Sequence, residues 1–386
     1  MRNLIYIWFD ECRTVLRDKG IMIFIFFVPL AYPLLYSYVY TNEVCRDVPC
    51  AVVDDCGSTR SREFIQRFDA TPDVSVTGVY TNVHEAEELV KRHKAYGILH
   101  IASTFDEDLN HGHQTYIGLY CDMSSMLYYK ALLLAATDVS LDMNNDIKVA
   151  HVGATTIRDE EIARMPIEYK HINLYNPQSG FASFLIPPIL MLIIQQTLLL
   201  GIGMEMGNTR EKNRGSVVPL DVHYQNVMSV IWGKALFYLP LYFIMAIYMA
   251  TFVNQSFHLP QMGQYATFLA FIVPYLLSCI FFAITLSSFI YRREDCILIF
   301  VFMSVIMVFL SGVSWPSSNI PLFWKGISWL FPSTLGMNGY VRIMTMGCNL
   351  HDIRDIYLGL WIQVAVYFGV ACLVYLKHIN KLFHEH

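Results

Sequence analysis

The residues that could do chemistry in this chain are few, and their spacing argues against most chemistries. His111-Gly112-His113 puts two imidazoles at a glycine turn; the pair could hold a metal but reads as a polar loop. His84, His93 and His100 read as surface residues. Four of the nine cysteines, Cys45, Cys50, Cys56 and Cys121, fall early, and the other five are scattered without metal-ligand spacing. Four cysteines in an oxidising compartment suggest disulfides and allow three connectivities. Cys56 and Cys121 each follow an expected strand end, so the expected bridge is Cys56 with Cys121, with Cys45 and Cys50 closing a short loop. Free buried thiols are the alternative. No G-x-x-x-x-G-K-[ST], H-E-x-x-H or G-x-S-x-G occurs, which excludes a P-loop nucleotide site, a zincin and an α/β-hydrolase elbow. No catalytic or metal-ligating set stands out.

The elements around these residues are apolar. Between Ala235 and Tyr291 there is no Asp, Glu, Lys or Arg. About 20 apolar residues span a bilayer core of roughly 30 Å, so this stretch holds two crossings and the polar turn at 254–261. Hydrophobic residues make up 55% and charged residues 15% of the chain. Six spans are expected, at 21–40, 181–204, 227–253, 265–291, 297–313 and 356–376. Pro29, Pro33, Pro187, Pro188, Pro240 and Pro274 lie inside them and predict kinks, which neighbouring membrane helices can accommodate. Lys234 is the main ionisable exception within the spans. A proton- or sodium-coupled carrier keeps carboxylates near mid-membrane; their absence here points to another energy source.

Short-loop Arg and Lys cluster at Arg13, Arg17 and Lys19, at Arg210, Lys212 and Arg214, at Arg292 and Arg293, and at Lys377 and Lys381. With six spans, every cluster falls on one side, so both termini are expected inside. The opening segment carries Asp10, Glu11 and Asp18 and no small-residue cleavage site, so it reads as an uncleaved anchor.

The expected organisation follows. Residues 1–20 form a cytoplasmic amphipathic elbow helix, with Leu4, Ile5, Trp8, Cys12, Val15 and Leu16 on one face and Asp10, Glu11, Arg13 and Arg17 opposite. Residues 21–41 are the first transmembrane helix. Residues 42–180 are an extracytoplasmic α/β domain, rich in acidic residues, in which strand and helix signals alternate. A helix at 126–150 could return the chain to the membrane. Residues 181–386 carry transmembrane helices 2–6, with a cytoplasmic connector at 205–226 and an outer re-entrant segment at 314–345. Trp315, Trp324 and Trp329 mark an aromatic belt in that segment. The fold class is thus an α-helical polytopic membrane protein with an inserted α/β domain.

The connector's density of charge, Glu205, Arg210, Glu211, Lys212 and Arg214, reads as a docking contact; a solvated connector is the alternative. Taken together, the chain resembles the permease subunits of ABC-2 type (type V) ABC exporters. The resemblance rests on Arg17-Asp18-Lys19 before span one, Ala51-Val52-Val53-Asp54-Asp55 with Ser61-Arg62, Tyr96-Gly97-Ile98-Leu99, and Asp106-Glu107-Asp108-Leu109. Asp122-Met123-Ser124, Glu205 with Arg210-Glu211, and Pro316 with Asn319-Ile320-Pro321 complete it. The early cysteine set departs from the pattern. The resemblance implies a bacterial inner-membrane permease working as a dimer, with a second copy or a paralogue. It also implies a separate ATP-binding subunit, which binds the ATP and magnesium; no cofactor is expected in this chain, and no nucleic-acid partner. The elbow (Trp8, Arg13, Arg17) and the connector would meet that subunit. A periplasmic adaptor, an outer-membrane channel and membrane lipid are further partners it allows. The implied function is export of a small molecule or lipid-like substrate from the cytoplasm or inner leaflet. The alternative class is a non-transporting membrane sensor whose outer domain binds a ligand.

Overall fold

The computed structural model describes residues 2–152, 156–165, 172–213, 215–219 and 221–384. The chain divides into two compact units: Met1–Glu43 with Asn173–His386, and Val44–Ile172.

The first unit is helical. It opens with α1 (Arg2–Arg17) and α2 (Lys19–Val39). Asp18 separates them and caps α2, its carboxylate accepting from the backbone N–H of Gly20 (3.0 Å) and Ile21 (3.2 Å). A π-helical turn, Ile23–Phe27, precedes Pro29, whose ring would otherwise strike the carbonyl four residues back.

The second unit begins with β1 (Val48–Asp54), α3 (Thr59–Asp69), β2 (Val74–Tyr80), α4 (Val83–Lys91) and β3 (Gly97–Ile101). It continues with α5 (Phe105–Asn110), β4 (Ile117–Cys121), α6 (Met126–Val152) and α7 (Ile157–Arg164). The sheet order is β2-β1-β3-β4; β1 runs parallel to β2 and β3, and β4 runs antiparallel to β3. Alternation along β1 sends Val48, Cys50 and Val52 to one face and Ala51 and Val53 to the other. Phe64 and Phe68 of α3 and Leu132, Ala135 and Val139 of α6 cover the first face; Ala86 of α4 covers the second. The helix expected at 126–150 is α6, and its apolar stripe packs on the sheet.

The expected Cys56–Cys121 bridge is corrected. Cys121 pairs with Gly97, and Gly97 pairs with Cys50, at the start of β1. Cys56 lies beyond the opposite end of β1, because β4 reverses direction. Cys45, Cys50, Cys56 and Cys121 are free thiols, and burial pushes that of Cys50 up to about 12.

The chain returns through α8 (Phe181–Lys212), α9 (Val227–Ser256), α10 (Tyr265–Ser287), α11 (Arg293–Leu310), α12 (Leu322–Ser328), α13 (Pro332–Tyr340) and α14 (Arg354–His384). Glu43 holds the start of α8: its carboxylate accepts from Ser183 N (3.1 Å) and Ser183 Oγ (2.7 Å), and its carbonyl accepts from Phe181 N (2.8 Å). Among the described residues, five helices are long and apolar enough to cross a membrane: α2, α8, α9, α10 and α14. The expected span at 297–313 corresponds to α11, which has 18 residues and opens on Arg293, Glu294 and Asp295. Along α8, an added Cβ at Gly203 would strike Cys296 Sγ, and one at Gly207 would lie 2.8 Å from Arg293 N. Missing side chains thus let α11 lie against α8, the close approach small residues allow in membrane bundles.

α12 is exposed, with Leu322 and Phe323 outward, whereas α13 is buried among α8, α10 and α14. Gln195 of α8 accepts from Ser333 N and so satisfies the first turn of α13.

Candidate coupling site

The second span was expected to end at residue 204, before the charged connector. In the structure α8 runs eight residues further, and two of the charges there, Glu205 and Arg210, have buried partners. Lys234, in the second turn of α9, donates to Glu205 Oε2 at 2.5 Å and to Glu11 Oε2 at 2.9 Å. The three residues are 4%, 4% and 3% exposed respectively. The remaining oxygens are also taken: Tyr238 OH donates to Glu11 Oε1 (2.7 Å) and Thr209 Oγ1 to Glu205 Oε1 (2.8 Å). A buried charge is tolerated when it is paired and hydrogen-bonded, and every carboxylate oxygen of this cluster has a donor. Burial, then the Glu205 carboxylate, pushes Glu11 up to about 7 against the pull of Lys234 and Tyr238.

Three separate elements therefore meet on one ammonium: α1, α8 and α9. Gly233 allows it, since a Cβ there would lie 2.7 Å from Ile7 Cγ2 of α1. The stripe Ile7, Glu11 and Val15 is the buried face of α1. Two positions of the elbow's expected faces are corrected: Val15, read on the apolar side, and Glu11, read opposite it, are both buried. Ile5, Trp8 and Leu16, read as one apolar face, are exposed, as suits a lipid-facing surface. Glu11, read as polar and outward, is buried. Arg13 and Arg17 are exposed, as is Trp8 at 38%.

The segment before α9 closes over α1. Tyr224 donates to Asp10 (2.7 Å), Tyr6 donates to Asp221 (3.0 Å), and the Tyr6 and His223 rings stack at 4.1 Å. A polar cavity of about 140 Å³ opens between these elements, lined by Asp10, Glu11, Glu205, Lys212 and Lys234 among others.

The other connector residues separate into two kinds. Arg210 is 3% exposed. Its guanidinium donates to Ile290 O at 2.8 Å and to Ser288 O, and lies 4.5 Å over the Tyr291 ring. It thus caps the carbonyl end of α10, where a cation is favoured. The reading of Arg210 as an exposed docking charge is corrected on this geometry. Glu211 and Lys212 are exposed, and Glu211 accepts from Arg293 N at 3.2 Å. Arg214 lies outside the described residues. Nearby, Arg293 makes a bidentate pair with Asp18 at 2.7 and 2.8 Å, tying the start of α11 to the α1–α2 junction. Burial works to raise Asp18, but Arg293 and the Ile21 N–H outweigh it and hold the carboxyl below its ordinary value.

Sequence reading missed Glu11, Tyr238 and the Asp18–Arg293 pair. The available signals were Lys234, the exceptional cation in an apolar run, and the i, i+4, i+8 spacing of Ile7, Glu11 and Val15.

Residues 19–373 match the family described as ABC-2 family transporter protein. Among curated proteins, the chain is similar to the probable multidrug ABC transporter permease YbhR of Escherichia coli strain K12. The two are 22% identical over 327 residues, covering 83% of this chain and 84% of the relative. The YbhR protein of Escherichia coli O157:H7 matches to the same extent.

Proposed function

We propose, from the premise that this chain belongs to the ABC-2 family of transporter proteins, that it is the transmembrane permease subunit of an ATP-driven exporter. With no P-loop in the sequence, the energy would come from a separate ATP-binding subunit that holds ATP and magnesium. The observation that carries the reading is the Glu11–Lys234–Glu205 triad. It joins the elbow to two long apolar helices at the end of the bundle where the connector lies. A push on α1 from a closing ATPase would reach α8 and α9 through one buried ammonium, with little loss in flexible side chains.

In this reading the chain crosses the inner membrane six times, with α11 as the fifth crossing and both termini inside. The one-sided Arg and Lys clusters support that topology. The Val44–Ile172 unit would then be extracytoplasmic, and α12 with α13 a re-entrant outer hairpin. The permease would work as a dimer, with a second copy or a paralogue. The cargo would be a small molecule or lipid-like substrate taken from the cytoplasm or inner leaflet. A periplasmic adaptor and an outer-membrane channel are the partners that would complete such a route. Glu211 and Lys212, with Arg13 and Arg17 of the elbow, form the exposed docking set; Arg210 does not belong to it.

The test is Glu211→Arg with Lys212→Glu in the permease co-expressed with its ATP-binding subunit. Expected is weakened co-purification, or lost substrate-stimulated ATP turnover, at an unchanged melting temperature. Normal assembly with normal stimulation would remove these residues from the docking surface. Labelling of Ser58→Cys and Asn213→Cys should mark opposite sides of the membrane; reaction of both from one side would sink the topology.

A further inference from the structure

A second cavity lies in the transmembrane unit, at the other end of α8 from the coupling triad. Its volume is about 310 Å³, and Phe184, Pro187 and Pro188 of α8 form much of its apolar wall. Pro188 and Glu205 are separated by roughly 25 Å of helix at 1.5 Å per residue, so the two sites are distinct. Asn338, Arg342 and Thr345 bring polar atoms to the opposite wall.

Three independent features make this a built site. First, Arg342 is the sole charged residue among the described residues lining it. Among the described residues, its ion-pair contact is Asp355, 3.9 Å away, with both side chains about half exposed. Such a pair holds weakly and can be displaced. Second, Thr345 is 7% exposed and its Oγ1 has no hydrogen-bond partner among the described residues. A buried hydroxyl without a partner is costly and awaits one. Third, both residues sit in a π-helical turn, Val341–Thr345, closed by Met346 N to Val341 O at 3.0 Å. Single π-turns occur often at functional sites.

We propose that this cavity binds an amphipathic organic anion. The negative head would lie between the Arg342 guanidinium and the Thr345 hydroxyl, and the apolar part against Phe184 and the two prolines. At roughly 30 Å³ for a water-sized group, the space takes on the order of ten heavy atoms, a head group and a short chain or ring. Mostly apolar walls with a few convergent polar groups are the usual make-up of ligand sites. As a substrate site, the inference rests on the export reading; as a binding site, it stands on the geometry alone.

The probe is radiolabelled octanoate, bound to the full-length permease in phosphatidylcholine nanodiscs and read by scintillation proximity. Expected is saturable binding, at least tenfold weaker competition by octan-1-ol, and none by octylamine. Arg342→Gln should weaken octanoate binding at least tenfold and bring it level with octanol, while Arg342→Lys retains part of it. Thr345→Val should weaken octanoate about threefold and leave octanol unchanged. This second variant decides the matter if Arg342→Gln fails to fold. Equal binding of octanoate by Arg342→Gln, by Thr345→Val, or equal competition by octanol in the wild type, would overturn the proposal. Replacing part of the lipid with phosphatidylglycerol separates the sources: loss of octanoate binding assigns the anion to a membrane lipid, retained binding to a free molecule. Co-purification with the ATP-binding subunit is measured on the same preparations. Failure there removes the export reading and leaves the anion site; success there with Arg342-independent binding removes the anion site alone.

Discussion

Two cations in this molecule are each surrounded by an excess of carboxylates, and they are held in opposite ways. In the α/β unit, Arg67 meets Glu63 at 2.7 Å, Asp142 at 2.5 Å and Asp146 at 2.8 Å, and all four side chains are at least 32% exposed. In the transmembrane unit, Lys234 meets Glu11 and Glu205 with all three side chains at most 5% exposed. Water and salt screen the first cluster, so its members are individually dispensable. The second has exchanged hydration for hydrogen bonds within the protein, so removal of one member strands the others. Charge composition alone does not tell a dispensable ion pair from one that holds elements together; burial and the number of elements joined do.

The comparison is broken or sharpened by four measurements. Lys234→Met leaves two buried carboxylates uncompensated and should cost about 3–5 kcal/mol of stability, read as a large fall in melting temperature of the purified permease. Adding Glu11→Gln and Glu205→Gln should restore most of it, and a neutral single variant would break the comparison outright.

The pH response comes next. The Glu11 carboxyl is raised in the folded chain from its ordinary 4.5 to about 7. A raised folded value means that the folded state holds the proton more tightly. The associated stability is full below the ordinary carboxylate range and is lost as pH rises through the raised value of the folded chain. Melting temperature should fall across that window in the wild type and stay flat in Glu11→Gln; a wild type without this slope contradicts the burial of an ionisable Glu11.

Arg210→Gln removes the cation from the end of α10 and should cost about 2 kcal/mol. The charge swap Arg210→Glu with Glu211→Arg should unfold the bundle end rather than merely undock a partner. A fully stable swap variant would return Arg210 to the docking surface. Smallest of all, Arg67→Ala should cost about 0–1 kcal/mol, falling further with added salt; a larger, salt-independent loss would erase the distinction between the two clusters.

The apolar architecture was legible because it is written locally. Charge-free runs give the long helices, and the short apolar run Cys50–Asp54 gives a strand, which the structure buries on both faces. The joints were not legible, because they are non-local. Glu11 and Lys234 are 223 positions apart, and Asp18 and Arg293 are 275 apart. Nothing in either neighbourhood names the partner. The same limit explains Arg210: in sequence it belongs to a polar loop, and only the arrival of the α10 carbonyls turns it into a cap. The cysteines failed for a topological reason. Strand ends were legible, but the reversal of β4, which sends Cys121 away from Cys56, was not.

The hydrogen bonds at Glu43 bear on how such a chain could have arisen. The residues flanking the Val44–Ile172 unit's departure and the start of α8 are fastened together by the Glu43 carbonyl and carboxylate, to Phe181 and Ser183. The helix-bundle side of the junction is therefore complete without the intervening segment, as the base of a hairpin is complete whatever its loop holds. A gene encoding this bundle could gain, lose or exchange the whole α/β unit at one point without disturbing a helix, since loop length alone adds only slowly to the entropy of closure. Related permeases with a different inserted unit, or with a bare turn at this place, are the evolutionary variation that such a stem permits.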